Sequence, residues 1–400
     1  MQPLASPLVF PHSERAYRWI QSLAIALVLV LAVGILKIGS APYIAFAFCG
    51  SFLIFAMSGP SRGDLLISAA LGLAFGTVYH LHHGAIIPYF GSEIATPGGF
   101  LGMGAVQVLA SRWIWSPGAN QREAYATMIR SALIPLLCMG SMVAVSLAAQ
   151  WTPITYDRMI FAFDRNLGSP SWALGTLFRA HSWLLSLCGH VYNSLPLALS
   201  ACLTLQWREG TGRFRVNLGI AALALGIVGF ALYQICPVSG PAYLFPQQFP
   251  SQMPAASTAE PALLPISPRN GMPSLHFGWA LLLFWNLRTR RILGPLAGAF
   301  LILTALATLG SGEHYLADLI VAAPLALAVQ AALLKSNNVW RWAALTTGTA
   351  LTLIWLIAFR MGGALSLQGD LLVWALVSGT IALPVLLVWR SEREATRSAF

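Results

Sequence analysis

The sequence predicts an all-α polytopic membrane protein of about 12 transmembrane helices. Three observations predict it. Hydrophobic residues make up 57% of the 400 residues and charged residues only 9%, whereas soluble domains carry about a quarter charged residues. Mean hydropathy is +0.70. The apolar residues fall into runs close to the roughly 17–25 residues that a helix needs to cross the hydrocarbon layer.

Taken in order, the expected spans are 18–37, 42–58, 64–80, 98–112, 128–150, 183–205, 216–236, 273–288, 292–310, 314–334, 339–359 and 369–390. The first follows Arg15 and Arg18 and runs to Ile38. It is longer than a signal-peptide core and another span follows it, so it reads as a retained helix. The fourth is short and glycine-rich, and a re-entrant segment is its alternative. Segment 151–182 mixes Phe, Trp, Leu and Met with Asp157, Arg158, Asp164, Arg165 and Arg179, which fits one or two helices lying in the membrane interface. Segment 237–272 is rich in proline, which lacks the backbone donor and clashes with the preceding turn, so a surface cap is expected there instead of a span.

Loops on the cytoplasmic side collect Lys and Arg. With the amino terminus inside, the inner loops carry Arg62; Arg112, Arg122 and Arg130; Arg208, Arg213 and Arg215; Arg288, Arg290 and Arg291; Lys335 and Arg341; and Arg390, Arg393 and Arg397. Every inner loop is basic, and an even span count returns the carboxyl terminus to the cytoplasm. The net charge of +10 therefore reads as topology; scattered arginines without a binding motif do not make a nucleic-acid footprint, and no nucleic-acid partner is expected. Cys49, Cys138, Cys188, Cys202 and Cys236 lie in or beside apolar runs without C-x-x-C spacing, and read as small buried hydrophobes. No internal repeat of the kind many transporters carry is visible.

Two of the eight histidines stand in a catalytic context. His314 and Asp318 are four residues apart at the start of an apolar run, where a carboxylate can accept one imidazole N–H and aim the other nitrogen at a substrate. His276 opens another run in Pro273-Ser274-Leu275-His276. Both histidines start spans that enter from the same, extracytoplasmic face. Two imidazoles at one depth suit a double displacement at phosphorus, with His314 attacking and His276 protonating the departing oxygen. Pro273 fits a first helical turn, and Ser274 with the amides there forms a cradle for phosphate. The cluster His80, His82 and His83 near Glu93 lacks an established metal-ligand spacing and reads as an interface loop. His181, His190, Tyr192 and Asn193 either line an outer vestibule or are polar groups satisfied between helices.

These motifs resemble the type 2 phosphatidic-acid phosphatase superfamily, whose signatures are written KxxxxxxRP, PSxH and SRxxxxxHxxxD on a six-helix core. Pro273 to His276 meets the second, and His314 with Asp318 meets the third. The Ser-Arg positions hold Ala307 and Thr308, and the first signature has Tyr233 for Lys and Gly240 for Arg, keeping only Pro241. Gly240-Pro241-Ala242-Tyr243-Leu244-Phe245-Pro246, with Pro273 to His276 and His314-Tyr315, is similar to the branch containing inositol phosphorylceramide synthases and bacterial relatives.

The resemblance implies a core at 128–334, a four-span extension at 1–127, and two further spans with a cytoplasmic tail at 335–400. It implies an integral enzyme of a bacterial inner (cell) membrane that moves a phospho-headgroup from a lipid phosphate substrate to a lipid alcohol acceptor at the extracytoplasmic face. Its site would be His276, His314 and Asp318, with Ser274, Tyr243 and Gly240 at the substrate. Arg269, four residues before Pro273, is the expected substitute for the missing cationic clamp. Two histidines and oriented donors call for no metal and no cofactor. A lipid-phosphate or polyprenyl-diphosphate phosphatase, and a transporter or non-catalytic membrane scaffold, are the alternatives.

Overall fold

The computed structural model describes residues 18–21, 23, 41–84, 88–116, 118–210, 214–255, 260–264, 267–362 and 370–397. It is about 78% helical and divides into two compact units, residues 1–136 with 196–204, and residues 137–195 with 205–400. Two helices, α4 (Gly118–Trp151) and α8 (Leu195–Glu209), have residues in both.

The first unit contains α1 (Pro42–Met57), α2 (Arg62–His83) and α3 (Ser92–Trp115). Pro42 sits in the first turn of α1, where a missing N–H costs nothing. A capping box starts α2: the Asp64 amide donates to Ser61 Oγ at 3.2 Å and the Ser61 amide to Asp64 Oδ2 at 2.9 Å. Helix α3 packs against both neighbours, and its glycines make that possible. A Cβ on Gly102 would lie 1.7 Å from the Phe48 carbonyl oxygen, and one on Gly104 2.2 Å from that of Ser68.

The second unit begins, after α4, with strand β1 (Ile154–Thr155), α5 (Asp157–Asn166), α6 (Pro170–Ala180) and α7 (Ser182–Asn193). Then come α9 (Leu218–Leu232), the short α10 (Pro241–Leu244), β2 (Ala262–Leu263), α11 (Leu275–Leu287), α12 (Leu293–Gly310), α13 (Leu316–Leu333), α14 (Val339–Arg360) and α15 (Asp370–Arg397). Helix α13 is the axis of this unit: most of it is buried, and α5, α9, α11, α14 and α15 pack on it. At its carboxyl end a buried polar knot joins three helices. Asn286 Nδ2 donates to Gln330 Oε1 at 3.0 Å, and Glu392 accepts from Trp285 Nε1 at 3.0 Å and from Arg288. Side-chain hydrogen bonds that cross between helices in this way fix helix register inside an apolar bundle.

Among the described residues, seven of the expected spans appear as helices long and apolar enough to cross a membrane: α2, α3, α4, α12, α13, α14 and α15. The chain is an integral membrane protein. At 24 residues, α3 is longer than its sequence estimate. Helices α1, α9 and α11 are apolar but shorter. Span 183–205 is corrected: it is two helices, because Pro196 has no amide to donate and the chain turns at Ser194, whose amide bonds the His190 and Val191 carbonyls. Span 18–37 lies for the most part outside the described residues. The described residues of segment 237–272 form no long helix; β2 pairs antiparallel with β1, Ile154 opposite Leu263. Segment 151–182 carries the two helices α5 and α6.

Candidate active site

His314 stands in the turn between α12 and α13. Gly312, with φ +76°, allows the reversal, and the His314 amide bonds the Thr308 carbonyl at 3.2 Å. Ser171 Oγ, from α6, donates to the His314 carbonyl at 3.0 Å. The imidazole is almost fully buried. Its Nδ1 lies 3.0 Å from the Gly271 carbonyl oxygen and 3.3 Å from Asp318 Oδ2. A carbonyl can only accept, so Nδ1 carries the proton and Nε2 presents its lone pair. Sequence spacing placed His314 and Asp318 on one helix face; instead they meet across the cap of α13. His314 precedes the N-cap, Tyr315, and Asp318 Oδ2 accepts the Tyr315 amide at 2.9 Å while it faces the imidazole.

The start of α11 supplies the facing wall. Ser274 is its N-cap, but the hydroxyl caps nothing; it lies 3.3 Å from His314 Nε2. The Ser274 amide is taken by the Asp318 carbonyl at 3.2 Å, and the Leu275 amide by the Tyr233 hydroxyl. Pro273, expected in the first helical turn, instead precedes the cap. His276 stacks on Tyr192 of α7, ring centroids 4.3 Å apart, with Trp279 edge-on at 6.2 Å. Thus the N-terminal ends of α11 and α13, with His276, Ser274, His314 and Asp318, come together at one end of the unit.

Arg269 is not where a phosphate clamp would be useful. Its side chain is fully buried, and its N–H groups go to the carbonyls of Thr152, Pro153, Leu264 and Ser267 and the hydroxyls of Ser239 and Ser267. Every nitrogen is engaged by protein, so the guanidinium fastens the 152–153 turn to the 239–269 segment. Arg165 bonds the Ala255 carbonyl and Arg179 bonds Ser251 Oγ. Among the described residues no Lys or Arg bonds His314, Ser274 or Glu313. Gly240 has φ +108°, its amide bonds Asp157 Oδ1 at 2.7 Å, and a Cβ there would meet the Glu313 carbonyl oxygen at 2.4 Å. A glycine is required for that approach, and its amide is already used. Tyr243 Oη donates to Glu313 Oε1 and Oε2 at 3.2 and 3.3 Å.

Residues 158–332 match the family model described as the PAP2 superfamily. This stretch of the chain is similar to the PAP2 superfamily. The matched stretch, a little under half of the chain, contains His276, His314 and Asp318 and excludes Asp157 by one residue. Members of the superfamily are lipid phosphatases or phosphotransferases, with which an enzymatic role for this chain is consistent. No curated protein and no solved structure matches the chain.

Two further carboxylates support the site, and the sequence patterns did not single them out. Asp157 and Asp164 begin and end α5, seven residues apart and both buried. Asp157 accepts the amides of Ser239 and Gly240, fixing the segment that leads to Tyr243. Asp164 Oδ1 accepts the Ala317 amide at 3.3 Å, capping α13 from another helix, while its Oδ2 has no partner. Burial pushes the Asp157 carboxyl up to about 6, against the pull of its two amide donors, and the Asp164 carboxyl up to about 7. The available signal was the repeat of Asp at i and i+7 on a helix otherwise apolar on that face, "DRMIFAFD".

Proposed function

We propose that the enzyme is a lipid phosphotransferase, moving a phospho-headgroup between lipids through a phosphohistidine on His314. One observation carries this reading: Nδ1–H of His314 is committed to Gly271 and Asp318, leaving Nε2 toward Ser274 at the mouth of α11. In the first half-reaction the Nε2–P bond forms as the bond from phosphorus to the diacylglycerol oxygen breaks, and protonated His276 gives its proton to that oxygen. In the second, the acceptor alcohol's oxygen bonds phosphorus, the Nε2–P bond breaks, and the acceptor's proton returns to His276. Asp318 balances the positive charge that His314 acquires. Ser274 Oγ, close to Nε2 at rest, is placed to donate to a phosphoryl oxygen, and Tyr243 stands at the substrate's edge.

The basic loops support an extracytoplasmic position for this end of the helices. Among the described residues His314 and Ser274 have no Lys or Arg partner, which favours a substrate phosphate of low charge, a diester over a dianionic monoester. The test is headgroup exchange and phosphate release from mixed lipids by purified protein and by His314→Ala. The proposal expects exchange products from the native enzyme alone; phosphate as the sole product would make it a phosphatase, with water as acceptor, and equal behaviour of the two proteins would reject the chemistry.

A further inference from the structure

Glu313 has no role in the chemistry above, yet it is the residue immediately before the nucleophile. Its side chain is half-buried, and the Tyr243 hydroxyl bridges its two oxygens. The placement is built by the backbone. The Ala242 amide donates to the Gly312 carbonyl at 3.0 Å, the Tyr243 amide to the Gly240 carbonyl at 3.1 Å, and Gly240 lies against the Glu313 carbonyl where no Cβ fits. Tyr243 is thereby held over Glu313. Among the described residues no Lys or Arg pairs with this carboxylate, and the Tyr243 hydroxyl is its hydrogen-bond donor.

A carboxylate without a cation, next to the atom that attacks phosphate, repels the substrate's phosphoryl oxygens. It is compatible with catalysis only if the substrate offers it a donor. Tyr243 satisfies one direction of each carboxylate oxygen and leaves acceptor capacity on both. We infer that Glu313, anchored by Tyr243, accepts a hydrogen bond from an alcohol hydroxyl of the substrate beside the reacting phosphorus, and so makes the site select alcohols. The inference rests on the phosphotransfer reading of the same site. The hydroxyl belongs either to the headgroup being moved or to the acceptor, and the two sources separate experimentally.

The experiment uses the full-length enzyme and Glu313→Gln, which keeps an acceptor for Tyr243 but removes the charge, with Tyr243→Phe as a second variant. Two ratios are measured in mixed micelles, so that a general loss of folded protein cancels. The first is the kcat/KM for phosphatidylglycerol over phosphatidylmethanol, which lacks a headgroup hydroxyl. The second is transfer of glycerol phosphate to a diacylglycerol of different chain length over its release to water. A charged hydrogen bond is worth about tenfold or more, so at least one ratio should fall by about tenfold in Glu313→Gln and move the same way in Tyr243→Phe. A fall in the first ratio assigns the headgroup hydroxyl, and a fall in the second the acceptor. If neither ratio moves more than about twofold, the inference is wrong even though transfer persists. If the native enzyme forms the phosphohistidine and only hydrolyses it, the transfer reading fails, and the first ratio alone decides the role of Glu313.

Discussion

The carbonyl oxygen of Gly271 and the Nδ1 of His314 are 3.0 Å apart, and this contact sets the tautomer of the nucleophile. Gly271 precedes Met272, Pro273 and Ser274, so the segment that delivers Ser274 to Nε2 also holds the proton on Nδ1. Asp318, at 3.3 Å, shares that proton with a neutral acceptor.

Because Gly271 fixes the tautomer without help, Asp318→Asn should remove charge stabilisation but not orientation. The asparagine oxygen can still accept the Tyr315 amide, with its NH2 in the place of Oδ1, which has no partner now. Turnover should fall by about 100-fold with KM little changed. Steady-state kinetics on a lipid diester check this. A loss approaching that of His314→Ala would mean that Asp318 alone orients the ring.

His276 is assigned the leaving oxygen's proton, so its removal should matter in proportion to how poor the leaving group is. His276→Gln should lose about 100-fold or more on a diacylglycerol leaving group and far less on a nitrophenol ester of the same phospho-headgroup. Equal losses on both substrates would place His276 outside proton transfer, as a ring packed between Tyr192 and Trp279.

Arg269→Ala should destabilise the protein by about 3 kcal/mol or more, because it leaves the carbonyls of Thr152, Pro153 and Leu264 without their buried donor. Arg269→Lys should not restore stability, since an ammonium cannot reach acceptors spread around a planar fork. Thermal unfolding in detergent reads both. Full stability with lost substrate binding would return Arg269 to the role of phosphate clamp.

Asp164 carries a pH signature. Its carboxyl, ordinarily near 3.8, is raised to about 7 by burial, so the fold prefers it protonated. The stability this contributes is complete below 3.8 and is lost as pH rises through 7. Asp164→Asn is permanently neutral and keeps an acceptor for the Ala317 amide. Its melting temperature should match the native protein near pH 4 and exceed it at pH 8, by about 1 kcal/mol or more in stability. A native protein that gains stability relative to the variant as pH rises would show instead that the carboxylate is the favoured form.

Much of this architecture was legible in the sequence, because membrane helices announce themselves by length and apolarity. Residues 292–310, 314–334 and 339–359 differ from α12, α13 and α14 by at most two residues at either end. Ser274, His276, His314 and Asp318 were legible as polar groups at the ends of apolar runs. The break at Ser194 was hidden because a proline within an apolar run leaves the hydropathy unchanged and acts only on backbone donors. The surroundings of Arg269 were not legible, because proximity along the chain says nothing about which carbonyls surround a guanidinium. Asp157 and Asp164 were hidden because they read only as part of the charged and apolar mixture of an interfacial segment, whereas α5 turns both inward to hold backbone amides from distant segments.

The most direct test of the central claim is a rapid quench of the full-length enzyme with a phosphodiester lipid labelled at phosphorus, followed by peptide mapping. An acid-labile, base-stable label is expected on the peptide containing His314, present in the native enzyme and absent in His314→Asn. A label on any other residue, or turnover without a labelled enzyme in a burst, would contradict it.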